Sequence, residues 1–255
     1  MTARLRTLIA PAVFTLIMGA ILVGLGLWQL QRLTWKNAIV ARIEARTAAP
    51  VQPLPSSSAW SALSPDDYEY RHVELDGTFD HAKEALVFRG TAAGPGYFVL
   101  TPLHLASGGT VIVNRGFVPT DRVDPPSRKA GNVTGPVHVI GLMREPEPRN
   151  AFTPADEPAT GHYFTRDPAL IAAHFGLADA APFSIDADAT PVPGGLPRGG
   201  TTEVAIPNNH FSYALTWFGL AAGLFGVFGV LAWRKLHGAP GDRLPSAPRS
   251  SRIQV

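Results

Sequence analysis

The sequence predicts an α+β membrane protein: two transmembrane helices flank a mostly antiparallel, β-rich extracytoplasmic domain that carries one short helix. Three observations predict it. Phe211 to Trp233 is a 23-residue run with no charged side chain, stopped by Arg234-Lys235. A second apolar cluster runs from about Leu8 to Leu30. Between the two, from Tyr68 onward, the hydrophobic period changes to the two-residue alternation of half-buried strands.

At 1.5 Å per residue the later run spans about 34 Å, enough for a hydrocarbon core of about 30 Å. Pro207-Asn208-Asn209-His210 precedes it, and asparagine is a strong helix opener. The earlier cluster is too long for a signal-peptide core, and Trp28-Gln29-Leu30-Gln31-Arg32 follows it where a cleavage site would need small residues. It therefore reads as a retained helix. The expected order is a cytoplasmic segment 1–7, transmembrane helix 8–30, an amphipathic stem 31–47 and a Pro/Ser-rich linker 48–67. A β-rich domain 68–207, transmembrane helix 211–233 and a basic, disordered cytoplasmic tail 234–255 complete it.

Charge assigns the sidedness. Arg4 and Arg6 precede the first helix, and Arg234, Lys235, Arg243, Arg249 and Arg252 follow the second, against Asp242 alone. Leu33 to Ser212 holds 14 basic and 19 acidic residues, a net of −5. By the positive-inside rule both termini are cytoplasmic and the acidic middle is outside. The basic pI thus reports topology; the partner it implies is membrane lipid and no nucleic acid. Cysteine is absent and methionine occurs only at positions 1, 18 and 143. That excludes disulfides and leaves none of the soft sulfur sets that copper(I) handling needs. With about seven residues ahead of the first helix there is no room for a mitochondrial transit peptide, so the expected home is a bacterial inner (plasma) membrane, crossed twice.

Trp28 and Trp35 suit the headgroup belt, where Arg32 and Lys36 can snorkel. Strands are expected at Val73–Phe79, Ala85–Arg89, Tyr97–Leu100, Thr110–Asn114, Val137–Leu142, Phe183–Asp186 and Glu203–Ile206, forming a sheet or partial barrel. Glu145 to Pro158 reads as a loop. Asp167-Pro168 through Phe175-Gly176 reads as a short helix with an Asp cap, Pro at its first position and Gly at its end.

No catalytic signature is present: no nucleophile elbow, no phosphate-binding glycine loop, no zinc spacing. His81, Glu84 and His104 could in principle meet in a metal site, but their spacing is nondescript and surface histidines are commonplace. Arg115, in Asn114-Arg115-Gly116-Phe117-Val118-Pro119, has a structural reading as an ion pair with Asp121 or Asp124. His210 has two readings: an interfacial imidazole reaching the headgroups, or an axial ligand to haem iron, since neutral imidazole beside an apolar aromatic face suits haem. At 100° per residue Gly219, Ala222, Gly223, Gly226 and Gly229 share one stripe, expected to pack on the first helix. His210, Tyr213, Trp217, Leu220, Leu224 and Phe228 lie opposite, a face expected to remain for a ligand or partner.

Three blocks carry a resemblance. Gly26-Leu27-Trp28-Gln29-Leu30-Gln31-Arg32 to Lys36, Asn114-Arg115-Gly116-Phe117-Val118-Pro119, and Asn208-Asn209-His210 with Tyr213-Ala214 and Trp217-Phe218 make the chain resemble the Surfeit-locus family of cytochrome c oxidase assembly factors. Phe117 stands where many relatives carry Trp. The resemblance implies a non-enzymatic role in delivering haem a to the large subunit of cytochrome c oxidase, with haem a synthase a further candidate partner. It implies His210 as ligand of a transiently held haem a, with Trp217 the matching helix-two tryptophan; a haem standing against Tyr213 and Trp217 would then turn its propionates outward, toward Arg32. Trp28, Gln29, Lys36, Asn114, Arg115, Gly116, Asn208 and Asn209 match family positions without an assigned chemistry. The alternative is a membrane chaperone that stabilises an oxidase subunit by protein contacts and binds no haem.

Overall fold

The computed structural model describes residues 3–91, 94–201 and 208–237. The strand expected at Glu203–Ile206, and the tail from 238 onward, lie outside the described residues. The chain divides into two compact units, one formed by residues up to Ile39 with those from Ile206 onward, the other by Val40–Ala205.

The first unit is a helix pair. α1 runs without interruption over Ala3–Thr47, and α4 over His210–His237, so Arg234 and Lys235 end a helix rather than begin a tail. Both helices are long and apolar enough to cross a membrane. In α1 the buried side chains Leu8, Thr15 and Gln29 recur at multiples of seven, the spacing of an antiparallel helix seam. Gly19 and Gly26 lie on the same seam. A Cβ at Gly26 would stand 2.5 Å from the Phe218 ring, and one at Gly19 2.3 Å from the Phe225 ring. Two rings seven residues apart on α4 thus fill two notches seven residues apart on α1. Close steric fit between ring and notch is what joins two helices that are apolar all round.

The seam corrects the expected packing face. Ala214 and Ala221 are the buried residues of α4. A Cβ at Gly219, Gly223, Gly226 or Gly229 would meet nothing within 4 Å, so the glycine stripe faces away from α1. The face carrying His210 and Trp217 is the one turned toward it.

The second unit is built around a sheet that closes on itself. β1 is Gln52–Pro53, β2 His72–Phe79, β3 Ala85–Thr91, β4 Gly94–Leu105, β5 Thr110–Pro119, β6 Pro136–Arg144, β7 His162–Tyr163 and β8 Ala180–Ala187. β2 pairs with β6, β6 with β8, β8 with β5, β5 with β4, and β4 back with β2, giving a closed five-stranded barrel. Within the ring only β5–β8 is parallel. Gly77 makes the closure feasible: it sits opposite Leu105, and a Cβ there would come within 2.4 Å of the His104 carbonyl oxygen.

Alternation along the strands sorts side chains to two cores. Val111 and Val113 of β5, Phe183 and Ile185 of β8, Val73 and Leu75 of β2, and Met143 of β6 share one cluster. Ile112 joins Ala85, Val87, Leu100, Tyr163 and Ile171 in the other, against α3 (Pro168–Phe175). α3 has the features its sequence announces: the Asp167 carboxylate accepts from the N–H groups of Ala169 and Leu170, and Gly176 closes it at φ 61°.

The expected linker 48–67 is not irregular. Gln52–Pro53 pairs with β2, Ser57–Ala62 forms a 3-10 turn, and Pro65–Tyr68 is the short helix α2. Trp60 is buried with its ring edge-on to Phe183 at 5.6 Å, while its indole N–H donates to the Pro55 carbonyl at 2.9 Å. Large apolar area and a satisfied indole donor hold this proline-rich segment on the barrel. Arg46, at the end of α1, donates to the Glu69 and Asp66 carbonyls and so caps α2.

Candidate functional site

At the start of α4, Asn209 accepts the first helical bond, from the Tyr213 N–H at 3.2 Å. Helical spacing then sets His210, Ala214, Trp217 and Ala221 on the side facing α1. The His210 Nδ1 lies 2.6 Å from Gln29 Oε1, and Asn208 Nδ2 donates to Asn37 Oδ1 at 2.8 Å. Gln29 is 9% exposed, so its amide is committed to the seam. An oxygen can only accept, so the proton of a neutral His210 ring sits on Nδ1. The Nε2 lone pair is then directed away from that bond, and Nε2 has no hydrogen-bond partner in the described structure.

The other expected site residues spread around this imidazole. Trp217 is half-buried two turns along α4. Tyr213 is 55% exposed and lies on the flank of α4 rather than in the seam. Arg32 is exposed and stacks over Trp35 and Trp28, 5.0 and 6.0 Å from their ring centroids. It therefore belongs to an exposed aromatic–cation stripe on α1, level with His210 but not bonded to it. Lys36 is half-buried on α1. The expectation that the His210 face would be left wholly free is corrected: the Nδ1 edge is taken by α1, and the Nε2 edge remains.

The middle block forms a different centre inside the barrel unit. Leu100 pairs with Asn114 and Phe98 with Phe117, so Arg115-Gly116 is a bulge opposite the single residue Val99. Gly116 adopts φ 120°, and a Cβ there would overlap the Arg198 carbonyl at 2.0 Å, which restricts the position to glycine. Asn114 secures the bulge, accepting from the Gly116 N–H at 3.0 Å and donating to Asp186 at 2.9 Å.

The bulge turns Arg115 toward Glu84, whose two oxygens accept from Arg115 Nη1 at 2.8 Å and Arg128 Nη2 at 2.7 Å. Asn132, the Gly131 carbonyl and the Phe79 ring complete the Arg115 surroundings. Burial pushes the Arg115 guanidinium down to about 10; Glu84 opposes the shift and Arg128 adds to it. The partner is thus Glu84, not Asp121 or Asp124: Asp121 lies on the surface beside Arg122. His81 and Glu84 do meet, but around the Arg115 guanidinium, whereas His104 bonds Thr110. This cluster clamps the segment Pro125–Asn132 to the barrel.

Sequence reasoning assigned no chemistry to Gln29 and missed the notches at Gly19 and Gly26. The seven-residue spacing of Gly19 and Gly26, with the polar Gln29 three residues further on in a largely apolar helix, was the available signal.

Comparison with known proteins agrees with the three blocks. A family model described as the SURF1 family matches residues 16–222. Surfeit locus protein 1 of Mus musculus is 38% identical over 225 residues, covering 82% of this chain and 71% of that protein. The Homo sapiens protein of the same name is 37% identical over 237 residues, covering 86% and 75%. A SURF1-like protein of Monosiga brevicollis is 37% identical over 241 residues and 89% of each chain. The matched span contains α1 from Leu16 onward, the barrel, α4 as far as Ala222, and Gln29, Arg115 and His210: the chain belongs to the SURF1 family.

Proposed function

We propose that this protein is a non-enzymatic assembly factor for haem-copper cytochrome c oxidase that holds haem a and aids its insertion into the large oxidase subunit. It works in a bacterial inner membrane, with both termini cytoplasmic and the barrel outside. The observation that carries the reading is the state of His210. Its ring is fixed through Nδ1 by Gln29, its Nε2 has no partner among the described residues, and it stands at the mouth of an apolar, aromatic helix. That donor set fits haem iron, whose usual protein ligand is a neutral imidazole. Bound haem would supply an iron that takes the Nε2 lone pair. Trp217 and Tyr213 offer aromatic surface beside it, and Arg32 is a cation for a propionate.

The helix pair has one imidazole at this end; the other, His237, closes the far end of α4. A single axial ligand suits a carrier that must release its cargo. A second reading has an observation of its own. The His210–Gln29 and Asn208–Asn37 bonds also join the helices, so His210 could serve the pair alone while the protein chaperones an oxidase subunit by contacts.

The visible spectrum separates the two. Full-length protein purified from cells that make haem a is expected to carry a Soret band, and His210→Ala protein, at equal yield, is expected to lack it. His210→Ala protein with full haem occupancy and an unaltered Soret band would leave the chaperone reading standing.

A further inference from the structure

Gln29 is the one buried amide in the α1 seam. A glutamine here is costly unless its polar atoms are used, because lipid offers nothing to hydrogen-bond. Its oxygen is used on one atom, His210 Nδ1, at 2.6 Å across 181 residues of chain. In water a neutral histidine is free to exchange its proton between the two ring nitrogens, and the bond removes that freedom. With the proton held on Nδ1, the lone pair is on Nε2 at all times and the ring plane is fixed against α1. Asn208–Asn37, on the outer side of the pair, gives a second cross-helix bond that holds the start of α4 in register.

We infer that Gln29 is the positioning residue of the haem site: it selects the Nδ1–H tautomer of His210 and orients Nε2 as the donor to iron. This rests on the ligand reading of His210 proposed above. The physical basis is the outer bond of metal-bound imidazoles, which almost always donate the second ring N–H to a carbonyl or carboxylate and lose about 10–100-fold in affinity without it. Gln29 contributes a side-chain carbonyl from the facing helix, so the ligand is assembled only when α1 and α4 are packed. Helix packing and haem affinity are thereby one equilibrium.

The test uses the full chain in detergent micelles and has a readout that needs no haem. In haem-free protein labelled with 15N-histidine, the His210 ring signals, identified by their loss in His210→Gln, are expected to show the Nδ1–H tautomer. Gln29→Leu, which fits the apolar seam, should move them toward the Nε2–H form that predominates in water. With haem a added, Gln29→Leu should bind about 10–100-fold more weakly. Gln29→Glu, which keeps an acceptor oxygen, should restore binding and lower the haem reduction potential, because a stronger acceptor makes the imidazole a better donor. An Nε2–H tautomer in the wild-type protein overturns the inference, whatever His210 ligates. So does Gln29→Leu protein with unchanged affinity and potential. Loss of haem in His210→Ala decides the ligand reading separately, so the two failures are distinguishable.

Discussion

Exchanging glycine for leucine at two positions, one on each helix, tests the seam directly. At Gly26 a Cβ would stand 2.5, 2.6 and 2.9 Å from three atoms of the Phe218 ring. Ordinary carbon contacts lie near 3.5–4.0 Å, so about 1 Å must be found even before the rest of the leucine is placed. Overpacking of this kind typically costs about 1–3 kcal/mol. As a ratio of packed to separated helices, that is about 5- to 150-fold. At Gly219 nothing lies within 4 Å, and leucine should be accepted within about 0.5 kcal/mol. The chain has no cysteine, so Asn37→Cys with Asn208→Cys gives a single thiol pair where two side chains already touch. Disulfide formation in membranes should slow by the stated factor in Gly26→Leu and stay unchanged in Gly219→Leu. The reverse pattern would mean that the glycine stripe of α4 is the packing face and that the seam described here is wrong.

Glu84→Gln leaves two buried guanidinium groups without their anion. It should cost about 3–5 kcal/mol and lower the melting temperature by on the order of 10 °C, read by near-UV circular dichroism, while Asp121→Asn should be neutral. Burial pushes the Glu147 carboxyl up, but Arg166 and Arg89 together outweigh it and hold the group below its usual range. A depressed carboxylate contributes stability that is fully present above its unfolded value near 4.5 and is lost as pH falls through the lower folded value. Glu147→Gln should therefore show a smaller loss of stability than the parent between pH 5 and pH 3 in acid-unfolding curves. A reporter active only in the cytoplasm should work when fused after Lys235 and fail when inserted at Gly131; the opposite result would overturn the proposed sidedness.

What the amino-acid sequence determined by itself was whatever depends on neighbours in the chain. The uncharged run Phe211–Trp233 makes a membrane-length helix wherever it is placed. Alternation in Val73–Phe79 fixes a strand, and Asp167, Pro168 and Gly176 fix the ends of α3 through the hydrogen bonds that helix termini leave open. The resemblance carried by Gln29, Arg115 and His210 was legible too, since it needs only residue identity and order.

Tertiary structure decided which of these residues meet. Closure of the barrel through β2 and β4, Glu84 as the carboxylate between Arg115 and Arg128, and Trp60 seated in the core all join positions far apart in sequence. The proline-rich stretch 48–67 looked unstructured because proline removes local hydrogen bonds, yet burial of Trp60 and Leu63 against the barrel supplies what local propensity lacks. The clearest case is α4. In a half-polar helix the apolar side announces the packing side, but α4 is apolar on all sides and its period carries no such information. Glycines occur on both helices, and the ones that matter are Gly19 and Gly26, because rings on the partner enter them. That choice turns His210 toward Gln29, and no property of either segment alone contains it.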